Sequence, residues 1–146
     1  MCWQGFTGFG KIAPMTHSPL YTNLALAHLA TVVPAFLLGT WLMLRRKGSK
    51  NHRALGKIYM GLMLVTAVIT LFMPAVVGPR FLGHFGFIHL FSASVFWTVP
   101  KAYFAALKHD VRTHMGNMIG LYVGGMLIAG SFALMPGRLL HTWLFG

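Results

Sequence analysis

Four long apolar stretches, separated by short polar connections, dominate the pattern along the chain. They cover residues 21–44, 55–77, 81–107 and 115–135. Each reaches the roughly 20 residues that a helix needs to cross the hydrocarbon core of a bilayer. Because backbone polar groups in a bilayer must be satisfied within the segment, each stretch is predicted to be a helix. The pattern predicts an all-α integral membrane protein, an up-down-up-down four-helix bundle with antiparallel neighbours.

Composition agrees with a membrane location. Hydrophobic residues make up 56% of the chain and charged residues 9%, against roughly 25% charged residues in soluble domains. The single cysteine excludes an intramolecular disulfide and a cysteine-based metal cluster. The formal net charge is +11. Because the cations lie between the apolar stretches, they favour contact with the lipid bilayer and not with nucleic acid.

The basic residues lie mainly in two of the three connections. The second connection carries only Arg80, and the third carries Lys108 and Arg112. The positive-inside rule places the first and third connections on the cytoplasmic side and both termini on the outer side. The first connection holds Arg45, Arg46, Lys47, Lys50, Arg53 and Lys57. The residues predicted to contact anionic lipid headgroups are Arg45, Arg46, Arg53 and Arg112.

The chain outside the bundle is predicted to lie along the outer membrane surface. Residues 1–20, rich in glycine and aromatic residues, form an interfacial segment, and residues 21–136 form the transmembrane domain. Residues 137–146 follow Met135 and Pro136 and have the pattern of a short amphipathic tail at the interface.

The two halves of the chain share a spacing of histidines. His52 and His114 each precede a Met-Pro pair by 21 residues, and His28 and His89 stand 24 and 25 residues before them. We interpret this as a duplicated two-helix hairpin, with chance as the alternative. Two hairpins of the same orientation are related by an axis along the membrane normal. That axis pairs His28 with His89 (the outer pair) and His52 with His114 (the inner pair).

The outer pair is the first candidate for a cofactor site. Ionisable groups inside a membrane span are costly and are functional hypotheses by default. His28 and His89 lie at similar depths in the first and third stretches, and two imidazoles facing each other suit the axial positions of a haem b. The alternative is that each histidine bonds a carbonyl or hydroxyl group on a neighbouring helix. The inner pair, at the starts of two helices, is a weaker haem candidate that could instead cap helices or contact lipid phosphate.

Copper is a lower alternative, because imidazole and thioether groups both suit that metal. His84 and His141 lie on the predicted outer side, in a chain with ten methionines. The candidate metal ligands are therefore His28, His89, His84 and His141.

A small-residue stripe marks the fourth stretch. Gly116, Gly120 and Gly124 recur every four residues, a spacing that favours close helix packing within the chain or in a homodimer. A flat groove for a ring-shaped ligand is the alternative.

The motifs HRALGKIYMGLM, VGPRFLGHFGFIHLFS and HMGNMIGLYVGGMLIAGSFALMPGRLLH resemble a small bacterial family of predicted integral membrane proteins with a domain of unknown function. The resemblance covers about residues 20–143. It rests on His-Arg-x-x-Gly, here His52, Arg53 and Gly56, and on a basic-x-His motif, here Arg112 and His114. It implies the fold and a multi-pass location in the bacterial inner membrane, but no reaction.

A looser resemblance is to diheme transmembrane cytochromes b, which move electrons from ascorbate or quinol. One of their helices opens with His-x-x-Leu-Gly, which is similar to His52, Leu55 and Gly56. That resemblance implies haem ligands at all four paired histidines and electron transfer, with a quinone or a larger membrane complex as candidate partners. The alternative function is a non-enzymatic membrane subunit or assembly factor whose histidines are structural.

Overall fold

The computed structural model describes residues 19–73, 87–136 and 139–145. Within these ranges, four helical stretches are long and apolar enough to cross a membrane. The all-helical membrane fold expected from the hydropathy pattern is therefore confirmed. The helices are α1 (Pro19–Leu44), α2 (Lys50–Phe72), α3 (Phe87–Leu107), α4 (Val111–Tyr122), a π-helical segment (Val123–Ile128), α5 (Ala129–Ala133) and α6 (Leu139–Phe145).

Two helices begin earlier than hydropathy predicted. α2 begins at Lys50 and not at 55, because the Ser49 hydroxyl accepts a hydrogen bond from the His52 backbone N–H at 3.1 Å. α4 begins at Val111 and not at 115. Hydropathy marks the apolar part of a span, whereas a polar N-cap residue starts the helix before it. The predicted limits of spans two and three at 77 and 81 lie outside the described residues, as do residues 1–18.

Neighbouring helices pack in chain order, α1 on α2, α2 on α3 and α3 on α4. α1 and α2 are antiparallel, since His28 contacts Thr70 while Thr31, further along α1, contacts Thr66. One apolar core joins the four spans. Its buried members are Ala35, Leu42, Tyr59, Met60, Met63, Ala67, Val95, Val99, Ala102, Met118, Leu121 and Met126.

Large apolar side chains also cover the outside of the bundle. Leu37, Trp97 and Phe104 are each more than half exposed. A contiguous apolar exterior of this kind marks an interaction surface in a soluble protein. Because these helices are long and apolar enough to cross a membrane, this exterior is here the surface that faces lipid.

The connection between α3 and α4 turns tightly through His109, which adopts a left-handed backbone conformation with φ of 58°. The Asp110 N–H then bonds the Ala105 carbonyl at 2.9 Å and the His109 N–H bonds the Ala106 carbonyl at 3.2 Å, so two helix-terminal carbonyls are satisfied as in a Schellman motif. Asparagine and glycine are the usual residues at such a position, so the sequence offered no signal for it.

The Asp110 carboxylate is expected to make stability fall at acidic pH. Its Oδ1 accepts from the Thr113 N–H at 3.1 Å, and hydrogen bonds from the Thr113 side chain and backbone lower the pKa of Asp110. A lowered pKa means that the ionised form stabilises the fold. That contribution is complete above the ordinary carboxyl pKa of about 4 and is lost as the pH falls through the lower folded value.

The measurement is the melting temperature in detergent, by circular dichroism, between about pH 3 and pH 6. Asp110 is the only acidic side chain of the chain, so few other groups titrate in this range. The Asp110→Asn variant, which keeps a capping oxygen but not the charge, should show a flatter profile. Parallel profiles for the two proteins would contradict the role of the ionised cap.

Candidate functional site

A cavity of about 520 Å³ lies at the end of the bundle that carries the loops 45–49 and 108–110, here called the basic end. Its size falls in the roughly 300–1,000 Å³ range of small-molecule and cofactor sites. All four spanning helices contribute apolar walls. The walls include Leu42 and Met43 of α1, Met60 of α2, and Met115 and Met118 of α4.

Both histidines of the inner pair line this cavity. The Nδ1 atom of His114 lies 2.9 Å from the carbonyl oxygen of Ala102 on α3. Because a carbonyl can only accept, Nδ1 carries the proton and Nε2 of the neutral ring keeps its lone pair. An imidazole held in this way through one nitrogen has the other available for a metal.

His52 is less fully satisfied. Its Nδ1 atom is buried and has no hydrogen-bond partner among the described residues. His114 and Lys47 are close enough to act on it electrostatically. An unsatisfied buried polar group costs about 1–3 kcal/mol, so the Nδ1 of His52 is a group that a ligand or a water molecule could satisfy.

A second unsatisfied group is the hydroxyl of Tyr59. The side chain is 1% exposed and lines the cavity, and the hydroxyl makes no hydrogen bond within the part of the chain that the structure describes. Tyr59 stands seven residues after His52, so it lies about two helical turns deeper on the same face of α2. Tyr59 was not among the candidates predicted from the sequence, although its i, i+7 spacing from a histidine was visible.

The cavity is positively charged. Lys47, Arg53 and Lys57 line it, and none of its described lining residues is acidic. A cavity with apolar walls and cations on one side matches a ligand that is apolar over most of its length and anionic at one end.

The His-Arg-x-x-Gly motif opens α2 along this cavity. His52, Arg53 and Gly56 all line it, and a Cβ added at Gly56 would meet no atom within 4 Å. The missing side chain of Gly56 therefore leaves this part of the wall flat. Of the second motif, His114 lines the cavity, and Arg112 is exposed at the start of α4.

The outer pair has a different environment. The Nδ1 atom of His28 lies 3.1 Å from the Thr70 hydroxyl, which gives its own proton to the Thr66 carbonyl at 2.8 Å. His28 is therefore the donor to Thr70. The Thr66 hydroxyl donates to Thr31 at 2.6 Å, and the Thr31 hydroxyl donates to the His28 carbonyl at 2.8 Å. This polar ladder ties His28 to α2, as the structural alternative for the histidines predicted.

His89 is buried on α3, with 6% of its surface exposed, near the equally buried Ser92. The described contacts thus place the inner pair on one cavity, whereas those of His28 lead to threonines. The threonine positions were a missed signal, since Thr31, Thr66 and Thr70 are hydroxyl groups within apolar spans.

Removing the Thr70 hydroxyl is expected to destabilise the contact between α1 and α2. The Thr70→Val variant loses the acceptor of His28 and the donor to Thr66, and polar contacts between membrane helices are worth about 0.6–2 kcal/mol. The measurement is the free energy of unfolding in detergent. Ser131→Ala is the matched control, because the Ser131 hydroxyl bonds the Leu127 carbonyl within the fourth span and not a neighbouring span. Equal losses in both variants would contradict the ladder.

The predicted glycine stripe does not pack within the described chain. A Cβ at Gly116, Gly120 or Gly124 would meet no atom within 4 Å. None of the three lines the cavity, whereas His114 and Met118 of α4 do. The homodimer alternative stays a prediction.

The described residues offer no cluster of side chains for the predicted copper site. Within the described residues there is no group of three or more His, Cys, Asp or Glu side chains that could hold a metal ion. His84 lies outside those residues, and His141 on α6 contacts the ring of Phe145, with 5.1 Å between centroids.

The predicted headgroup residues lie at the basic end. Arg45 stacks over the Trp41 ring at 4.2 Å from its centroid, a contact that suits the membrane interface. Arg46, Arg53 and Arg112 are exposed.

These features define a multi-pass, all-α membrane protein with a basic cavity at one end of its helix bundle. Over residues 21–141 the chain matches a family described as predicted membrane protein (DUF2306), and it belongs to that family. The family membership predicted from the motifs is therefore confirmed. No curated protein and no solved structure matches the chain.

Proposed function

We propose that this protein binds haem b and takes part in electron transfer in the bacterial inner membrane, with its basic end toward the cytoplasm and both termini outside. The observation that carries the proposal is that two histidines from different helices, His52 and His114, line one cavity of about 520 Å³ together with three cations. Haem iron takes histidine as an axial ligand. The proposed site is thus the inner pair, not the outer pair that the sequence favoured.

The residues of the cavity fit this group. His114 offers an Nε2 lone pair, since its Nδ1 is engaged with Ala102. His52 carries a buried nitrogen without a partner in the described chain. The apolar walls suit a macrocycle, and Lys47, Arg53 and Lys57 suit its two carboxylates.

The chain's own groups would hold and orient the cofactor. When bound there, haem b would supply one-electron transfer. The hydrogen bond from His114 to α3 fixes the ring orientation and raises its basicity as a ligand. Lys47, Arg53 and Lys57 would attract the carboxylates of haem b to the basic end, and the apolar walls would hold its apolar part. A quinone or a larger membrane complex is the proposed electron partner.

The test is a reduced-minus-oxidised visible spectrum of the full chain, purified in detergent after expression with haem supply. We expect sharp b-type bands at about one haem per chain. Folded, helical protein without these bands would overturn the proposal.

A second candidate is a non-enzymatic membrane subunit or assembly factor. The observation in its favour is that His28 and His114 each bond a neighbouring helix, at 3.1 and 2.9 Å. For such a protein, alanine at either histidine would lower the melting temperature of haem-free protein, and the native protein would be colourless.

A further inference from the structure

One side wall of the cavity is the seam between α1 and α4. The two helices keep a wider backbone separation than the pairs α1–α2, α2–α3 and α3–α4. Side chains bridge the gap instead. At the basic end, Lys47 Nζ donates to Met115 Sδ at 3.4 Å, and a tyrosine makes the bridge deeper in the bilayer.

Tyr122 of α4 closes the deep end of the seam. The Thr40 hydroxyl donates to the Phe36 carbonyl at 2.8 Å, so Tyr122 is the donor in its 2.6 Å hydrogen bond to Thr40. The Tyr122 ring also stacks on Phe36, with centroids 6.0 Å apart. On α1, Gly39 admits the ring, since a Cβ there would lie 2.7 Å from Tyr122 Cδ2. This cluster joins α1 and α4 through one hydrogen bond and one ring contact.

The backbone changes directly after Tyr122. Residues Val123–Ile128 form a π-helical segment that contains two adjacent glycines. Single π-helical turns inside α-helices are rare and are frequent at functional sites. The bridging tyrosine is therefore attached to the least regular part of the fourth span.

Between the two bridges, the seam is the cavity wall itself. Leu42 and Met43 of α1 and Met115 and Met118 of α4 line the cavity. Met115 is also 38% exposed. Methionine side chains are flexible and repack readily, so this wall can yield without movement of a helix.

We propose that the cavity is filled sideways, from the bilayer leaflet at the basic end, through the α1–α4 seam, with Tyr122 as its latch. The ligand class is a membrane-dissolved amphiphile with an anionic end. Its identity as haem rests on the proposed function, but the route does not. The competing route is from water, between the two basic loops.

The experiment uses a reactive thiol inside the cavity. Met60 is 8% exposed and lines the cavity from α2, which does not form the seam. The Met60→Cys variant is made in a Cys2→Ser background, because Cys2 is the only native cysteine. The full chain is reconstituted in phosphatidylcholine–phosphatidylglycerol vesicles. Labelling rates are compared for pyrene maleimide dissolved in the bilayer and for a charged, membrane-impermeant methanethiosulfonate in water.

We expect the bilayer reagent to label faster, and Tyr122→Ala to raise its rate about tenfold, because one hydrogen bond and one ring contact that hold the seam closed are lost. Tyr122→Phe, which keeps the ring, should give a smaller rise. If Tyr122→Ala does not fold, Thr40→Val removes the same hydrogen bond from the α1 side. Phe132→Ala is the control, since this exposed aromatic lies on α5.

Faster labelling by the charged reagent, with no effect of the Tyr122 variants on the bilayer reagent, would overturn the route. The labelling assay contains no haem, so its result does not depend on whether the protein binds haem. Conversely, if the protein binds haem but the labelling rate does not change in the Tyr122 variants, the proposed function stands and the lateral route is wrong.

Discussion

Replacing His114 by alanine is expected to lower haem occupancy at least tenfold, since losing even an outer-shell partner of a metal ligand costs about 10–100-fold in metal affinity. His114 is the inner histidine whose Nδ1 is fixed by the Ala102 carbonyl at 2.9 Å, so no other nitrogen on α4 offers a preset lone pair to the cavity. His52→Ala should have a comparable effect from the opposite wall. The measurement is the haem-to-protein ratio from the visible spectrum, at equal expression and helicity.

His28→Ala is the matched control for this prediction. His28 is a histidine within a span, but its contacts are to the threonine ladder. Its replacement should leave the bands in place and lower only the melting temperature. The reverse pattern, with bands lost in His28→Ala and kept in His114→Ala, would move the site to the outer pair. Bands kept in all three variants would contradict histidine ligation by either pair.

Adding one methyl group at Gly39 is expected to destabilise the bundle. A Cβ there would lie 2.7 and 2.9 Å from two carbons of the Tyr122 ring and 3.0 Å from the Tyr59 ring. Both rings are held by packing, so the strain cannot be relieved by a flexible side-chain end. Overpacking of this kind costs about 1–3 kcal/mol. The measurement is the free energy of unfolding in detergent for Gly39→Ala.

Gly61→Ala provides the opposite expectation in the same experiment. Gly61 is exposed on α2, and a Cβ there meets no atom within 4 Å. Alanine should therefore stabilise the helix by about 0.5–1 kcal/mol. If Gly39→Ala and Gly61→Ala changed the free energy of unfolding in the same direction, contact of the added methyl group with the two rings would not explain the effect at Gly39.

The number of spans, their approximate limits and the location of the cations could be predicted from the sequence. Hydropathy and charge are local properties, and a bilayer turns them directly into helices and a basic end. The starts of α2 and α4 were placed four or five residues too late, because hydropathy marks only the apolar part of a span, whereas Ser49 and Asp110 cap the two helices before it. The duplication, the orientation and the outer interfacial segment stay predictions.

The site was harder to predict, because a membrane weakens the signal that locates a core. Lipid tails are as apolar as leucine, so buried and lipid-facing positions carry similar residues and the sequence hardly marks which face of a helix meets its neighbours. The glycine stripe shows this, since its spacing suggested packing but a Cβ added at Gly116 or Gly120 would meet no atom of the described chain within 4 Å. The histidine spacing suggested two equivalent pairs, yet the cavity lies at His52 and His114.

The sequence by itself thus determined a four-span, all-helical membrane protein with one basic end, because span length and loop charge act locally. Only the tertiary structure decided which polar groups share a space. The rotation of each helix brought Tyr59, His52 and His114 to one cavity and set Tyr122 against Gly39. These rotations follow from the packing of side chains on different helices, a property that no single stretch of the chain contains.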